Sequence, residues 1–328
     1  MTARSSSLLR LFALRVAGLL AVLSSLFVLG GCEEKQRLAL EEMRRPAFDP
    51  VRWEPGRPPR ARGPLPERIV FGITPFYSPE RQAPALARLA DYLHQQLGIE
   101  VETKVATTYR EVVDELASGR VDVAQLSPYA YVQATRQIDD LLPLAASVAQ
   151  GTTSYASYLI VKATSPYQRI DDVLGKRLGF TDRWSTSGYI VPSAWLRTQG
   201  LDPQQDFKVV WLGSHDKALR AVIDGEVEAA AVSSDTVVST GVIGLGGPVR
   251  ILAKPGRIPY DAVVVRETMD PLLVWKVRKA FLSLSIHTAP GRAVLEDYNL
   301  INGFMPIPEG HYSAVRSWAE SEAKRADR

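Results

Sequence analysis

One cysteine, Cys32, occurs in 328 residues, so neither an internal disulfide framework nor a cysteine-cluster metal centre can form. The four histidines, His94, His215, His287 and His311, are scattered and make no H-x-x-x-H pair, which argues against a bound metal. Charge of neither sign dominates: 39 Lys+Arg against 36 Asp+Glu leave a formal net charge of +3, which gives no reason to expect a nucleic-acid partner. No apolar run reaches the roughly 20 residues of a confident membrane span. No fixed short repeat is present, and no residue pattern asks for a cofactor. What remains, 46% hydrophobic and 23% charged residues, is the balance of a globular protein, and the length allows two domains or lobes with a sizeable core.

The start of the chain accounts for the lone thiol. Arg4, Arg10 and Arg15 precede an apolar run from Val16 to Leu29 and the small residues Gly30 and Gly31, the layout of a secretory signal over residues 1–31. Leu29-Gly30-Gly31-Cys32 resembles the bacterial lipobox, which implies cleavage before Cys32, lipidation of its sulfur and a membrane anchor; the alternative is an uncleaved N-terminal helix with an incidental cysteine. Residues 32–66 carry Pro46, Pro50, Pro55, Pro58, Pro59, Pro64 and Pro66 among arginines and glutamates, and read as a semi-extended tether. The expected location is the cell envelope, on the periplasmic face of the membrane.

From Arg68 onward short apolar runs alternate with helical periodicity. Strands are expected at Ile69–Thr74, Val101–Val105 and Val121–Leu126, with helices over Leu86–Leu97, stopped by Gly98, and over Tyr109–Ser118. A second series follows: strands at Tyr158–Val161, Arg177–Phe180, Lys208–Leu212, Val227–Val232 and Val249–Ala253, helices near Gly188–Thr198 and Lys217–Ile223, then a strand at Ala262–Val265 and helices over Pro271–Ile286 and His311–Lys324. This alternation predicts an α/β fold with mainly parallel sheets. Two series with extended crossings near Tyr158–Lys162 and Ala253–Asp261 predict two lobes around a cleft, lobe I from residues 67–160 plus 258–328 and lobe II from residues 161–257.

The most informative stretch runs from Gly179 to Pro192. A strand ending near Phe180 and a helix starting near Ser187 gather the hydroxyls of Ser185, Thr186 and Ser187 with unpaired backbone N–H groups at one helix start, where helix dipole and free donors favour an anion. An ordinary Ser/Thr N-cap is the plain alternative.

Ser185-Thr186-Ser187-Gly188-Tyr189 with Pro192 is similar to the anion-binding segment of the periplasmic phosphate/phosphite/phosphonate-binding proteins of ABC importers, in the type II periplasmic-binding-protein superfamily. Gly72-Ile73-Thr74-Pro75, Ala106-Thr107-Thr108-Tyr109, Gly119 to Ala124, Tyr155 with Leu159-Ile160-Val161, and Gly213-Ser214-His215 agree in order, so the resemblance covers Arg68 to Glu267. It implies a two-lobed fold that closes on a small phosphorus-containing anion, a monomer that delivers it to an ABC permease in the inner membrane, and no enzymatic activity. It places anion contacts on Tyr109, Tyr155, Ser185, Thr186, Ser187 and His215. The chain departs from the pattern at Gln125-Leu126-Ser127-Pro128-Tyr129, where Pro128 also fits the first position of a helix.

The same resemblance puts Asp235 and Asp261 where aminophosphonate-binding members hold the ligand's ammonium group; otherwise Asp235 fits a helix N-cap and Asp261 a turn. A hydrolase built on Ser187, His215 and Asp216 or Asp235 is a second class of function, but no G-x-S-x-G elbow is present. A sensor or adaptor lipoprotein of the same fold is a third.

Overall fold

The computed structural model describes residues 55–242 and 247–326; the leader, Cys32 and the first part of the expected tether lie outside the described residues. Among the described residues no helix is long and apolar enough to cross a membrane.

The chain opens with β1 (Arg68–Ile73), in which Ile69, Phe71 and Ile73 are buried. The helix α1 (Pro79–Leu97) starts on a proline, buries Leu86, Leu89, Leu93 and Leu97 at helical spacing, and ends at Gly98, whose φ of 74° lets its N–H reach back to the His94 carbonyl. Next come β2 (Glu100–Val105), α2 (Tyr109–Ser118), β3 (Val123–Leu126), α3 (Pro128–Gln137) and β4 (Leu141–Ala149). After β4 the chain leaves the first sheet for β5 (Ser154–Lys162), β6 (Arg177–Phe180), a π-type turn over Thr186–Ile190, α4 (Val191–Thr198), β7 (Lys208–Trp211), α5 (His215–Asp224), β8 (Ala229–Ser233), α6 (Ser234–Ser239) and β9 (Val249–Pro259). It returns with β10 (Ala262–Arg266), α7 (Pro271–Ser283), α8 (Ala289–Leu295), β11 (Ile301–Met305) and α9 (Ser313–Ala326).

The first sheet has the order β11-β4-β10-β3-β1-β2 and the second β7-β6-β8-β5-β9, one to each lobe. Both are mixed, which corrects the expectation of mainly parallel sheets. Parallel pairing is confined to β1 with β2 and β3, and to β6 with β7 and β8. The strands that carry the chain out of and back into the first lobe pair antiparallel, the outgoing β4 and β5 running against the returning β10 and β9.

Tyr158–Lys162, expected as the first crossing, are instead the C-terminal half of β5; the chain changes sheets over residues 150–153, where Gln150 and Gly151 have φ of 50° and 72°. The second change, at Tyr260 and Asp261, falls within the expected range. The two crossings lie side by side, tied by Ser147 N–H to Asp261 O at 2.9 Å and Tyr260 N–H to Thr153 O at 3.2 Å. The helix α8 and the strands β4 and β11 carry no expectation from the sequence; α3 opens on Pro128, as the alternative reading of that residue has it, and α6 is capped by Ser233 and not by Asp235. Residues of the expected tether that are described lie against α7: Trp275 Nε1 donates to Gly56 O, and Arg62 N–H to Asp270.

The core of the first lobe packs α1 and α7 against one face of its sheet. Phe281, fully buried, stacks on Phe71 with ring centroids 5.9 Å apart and meets Phe304 edge-on at 4.9 Å. Phe281→Ala is expected to lower unfolding free energy by about 3–5 kcal/mol, while truncating exposed Leu174 stays within about 0.5 kcal/mol. Urea denaturation midpoints of the two variants check this; equal midpoints would place the lobe's core elsewhere.

Candidate functional site

The cleft between the lobes receives the C-terminal ends of the parallel strands. On the second lobe, β6 ends at Phe180 and the chain turns through Thr181 to Ser185, whose hydroxyl accepts the Gly188 N–H at 3.1 Å. The turn is tight around Gly188: a Cβ there would fall 1.9 Å from Thr181 Oγ1 and 2.8 Å from Ser185 Oγ, so only glycine fits. The Ser187 carbonyl accepts from Ser157 Oγ at 2.8 Å, which fastens the turn to β5. These contacts make Ser185 a cap and, with Ser187, leave both side chains buried at the cleft.

His215, the first residue of α5, is 1% exposed. Its Nδ1 accepts the backbone N–H of Ser233 at 3.2 Å, so Nδ1 carries no proton and the remaining hydrogen is on Nε2. That Nε2 lies 3.5 Å from Ser185 Oγ and 3.4 Å from Ser187 Oγ. Burial drives the imidazole pKa down to about 3, which keeps it a neutral donor. In this tautomer Nε2 cannot take a proton from Ser187. Asp216, the candidate third member of a triad, instead accepts from Ser214 Oγ and the Ser78 N–H.

From the first lobe comes Tyr109, the first residue of α2 and 1% exposed, whose hydroxyl lies beside Ser185 without a well-formed hydrogen bond. Burial pushes its pKa far up, so it stays a neutral phenol. Tyr155 approaches Ser187 from β5, stacked on Tyr260 at 5.0 Å, and is likewise held neutral by burial. Thr186 has a different position: its hydroxyl accepts the Tyr129 N–H at 2.9 Å and joins the lobes at the start of α3. Further contacts close the cleft, among them His215 N–H to Phe76 O at 3.1 Å and Tyr77 Oη with Ser239 Oγ at 2.9 Å.

Of the two expected aspartates, Asp235 stands in the first turn of α6 in the second lobe and Asp261 sits at the second crossing, within the field of Asp235. Burial raises the Asp235 pKa to about 6, against lowering by hydrogen bonds with Tyr260 and Ser234. Burial, then the Asp235 charge, raises Asp261 to about 7, against lowering by Gln125. With an unfolded value near 3.9, these raised carboxyls stabilise the fold fully below about pH 4 and lose that contribution as pH rises through 6 to 7. His215 works in the opposite sense: its contribution is complete above about pH 6.5 and falls as pH drops toward 3.

All eight residues expected at the cleft are thus gathered there, Thr186 as a clasp between lobes. The sequence reading missed Gln125, which accepts from Tyr298 Oη at 2.8 Å, and Ser127, buried at the start of α3 with no partner for its hydroxyl. Ser127 had a usable signal, since a small polar residue between a buried strand and a helix-opening proline repeats the layout at Ser185. Tyr298, contributed by the connection from α8 to β11, had none.

Residues 71–312 match the family model described as ABC transporter, phosphonate, periplasmic substrate-binding protein. The phosphate-import protein PhnD of Mycolicibacterium smegmatis is 27% identical over 231 residues, 66% of this chain and 72% of that protein. The phosphonates-binding periplasmic protein of Escherichia coli is 25% identical over 234 residues, 70% of this chain and 69% of its own. In fold the chain is similar to the binding component of an ABC phosphonate transporter from Pseudomonas aeruginosa, with a TM-score of 0.71 at 23% identity over 77% of this chain and 85% of the other. These are transport proteins and not enzymes, which sets the hydrolase aside together with the unsuitable imidazole tautomer. With the model matching most of its length, the chain belongs to the periplasmic phosphonate substrate-binding proteins of ABC transporters.

Proposed function

We propose that the protein captures a zwitterionic aminophosphonate, its phosphonate at Ser185, Ser187, His215, Tyr109 and Tyr155 and its ammonium group between Asp235 and Asp261. The observation that carries the reading is the His215 tautomer: an imidazole held neutral, with Nε2–H directed at two buried serine hydroxyls, is a fixed donor awaiting an acceptor. The phenols of Tyr109 and Tyr155 add neutral donors, so the phosphonate needs no lysine or arginine. Two buried carboxyls beside such an anion repel it when ionised, unless a cation stands between them, so their position supports selection for an amine over bare phosphate.

Capture proceeds by closure of the lobes about the paired crossings, as a monomer that hands its cargo to the permease. Cys32 carries the lipid that holds the mature chain at the periplasmic face of the membrane. Support for the anchor is the Leu29-Gly30-Gly31-Cys32 string behind an apolar run.

Replacing Ser185 and Ser187 together by alanine removes two donors worth about 1.5–3 kcal/mol each to a charged acceptor. Calorimetry with 2-aminoethylphosphonate should show Kd raised by about 100-fold or more, with circular dichroism unchanged; an unaltered Kd rejects the phosphonate position.

The amine clamp makes a separate prediction. An ammonium needs both carboxyls ionised, so binding near pH 6 expels protons that Asp235 and Asp261 hold, and affinity for 2-aminoethylphosphonate rises from pH 5 to pH 8. Titrations in two buffers of different ionisation enthalpy count the protons. Asp261→Asn should abolish most of the release and the preference over ethylphosphonate; a parent protein that binds ethylphosphonate as well as the amine has no clamp.

Cys32→Ala should move the protein from the membrane fraction to the soluble periplasmic fraction of a bacterial host. A variant that stays with the membrane as fully as the parent contradicts lipid anchoring.

A further inference from the structure

A cavity of about 400 Å³ opens beyond Asp261, away from the serine turn. It shares two walls with the site already described. Phe76 lines it and also packs, tilted, against His215 with ring centroids 4.7 Å apart; Asp261 lines it and also acts on Tyr109 and Tyr155. A phosphonate with one or two carbons cannot fill such a volume, which equals that of about a dozen waters at roughly 30 Å³ each.

The lining divides by chemistry. Ile73, Phe76, Ala85 and Leu86 form an apolar floor between β1 and α1. Beyond it stand acceptors: Asp261, Glu296 and Asp297 supply three carboxylates, against one guanidinium, Arg81. Arg81 is occupied elsewhere, lying 3.6 Å over the Tyr77 ring and donating to Ser239 Oγ across the cleft. Asp297 lies at the exposed rim, paired with Arg88 at 2.9 Å. Asn299 Oδ1 is buried in this wall with no hydrogen-bond partner. Asn299 and Leu300 hold φ of 50° and 61°, a left-handed pair that shapes the wall. An apolar floor and a surplus of carboxyl groups suit a carbon chain that ends in a nitrogen bearing hydrogens.

We propose that this cavity receives the organic arm of the bound phosphonate, and that the preferred arm is longer than two carbons and carries a cationic nitrogen. The inference rests on the phosphonate group sitting at the serine turn, and it adds, to the short aminophosphonate whose ammonium meets Asp235 and Asp261, a longer amine whose arm passes Asp261 into the cavity.

Calorimetry on the full-length chain in detergent tests it with methylphosphonate, 2-aminoethylphosphonate, 4-aminobutylphosphonate, 6-aminohexylphosphonate and hexylphosphonate. The four- and six-carbon amines are expected to bind at least about 10-fold more tightly than the two-carbon amine, and the six-carbon amine at least about 10-fold more tightly than hexylphosphonate. A smaller gain in either comparison, with some phosphonate still binding, overturns the cavity assignment alone. Failure of every compound, methylphosphonate included, overturns the phosphonate position and the cavity with it. Ala85→Phe fills the floor away from the serine turn and should erase the gain from length while leaving methylphosphonate affinity within about 2-fold; an unchanged six-carbon affinity in a folded A85F also overturns the proposal. Should A85F not fold, the length series on the parent protein decides.

Discussion

The hydrogen bond from the Ser233 N–H to His215 Nδ1 is the constraint around which the cleft is organised. It joins the end of β8 to the start of α5, and it decides which ring nitrogen keeps its hydrogen. Everything nearby follows from that choice. The serine turn must bring Ser185 and Ser187 to the protonated nitrogen, Gly188 must be glycine for the turn to close on Thr181, and Ser157 must fasten the turn to β5. A buried imidazole without this bond would be free to choose its tautomer, and the cradle would present an acceptor as readily as a donor.

Neutrality is the second theme. His215, Tyr109 and Tyr155 are each kept uncharged by burial, so the site offers directed dipoles in place of a formal counter-charge. For the phosphonate proposed there, such dipoles would be in place beforehand. The aspartates obey the same burial with the opposite result, holding protons at pH values where surface carboxyls are bare. One physical term thus shapes both halves of the cleft.

Much of this was legible in the sequence, and the gaps have causes. The bounds of α2 and β6 come directly from Tyr109–Ser118 and Arg177–Phe180, where periodicity and glycine or polar stops agree. β4 escaped because Leu141–Ala149 has no alternation and contains Pro143, which sits opposite Val264 at a break in register. β11 is interrupted by Asn302 and Gly303. The mixed pairing was invisible because strand direction depends on which strands meet across more than a hundred residues, as β3 and β10 do. At the site, residue types were readable but their contacts were not: Ser185 and His215 are 30 residues apart, and Tyr298 reaches Gln125 across 173.

The paired crossings give Asp261 a mechanical position as well as a chemical one. It sits on the ribbon that carries the chain between sheets, its carbonyl bonded to Ser147, while Asp235 rides on α6 in the second lobe. When two bodies turn about such a ribbon, a residue on the axis keeps its place and one far from the axis travels. Under the proposed closure Asp261 would belong to the stationary part of the cleft, whereas Asp235 would arrive with the moving body. If the lobes close as proposed, the two acids differ in timing: the pivot one would meet the guest at entry, and the distal one would register that the door has shut.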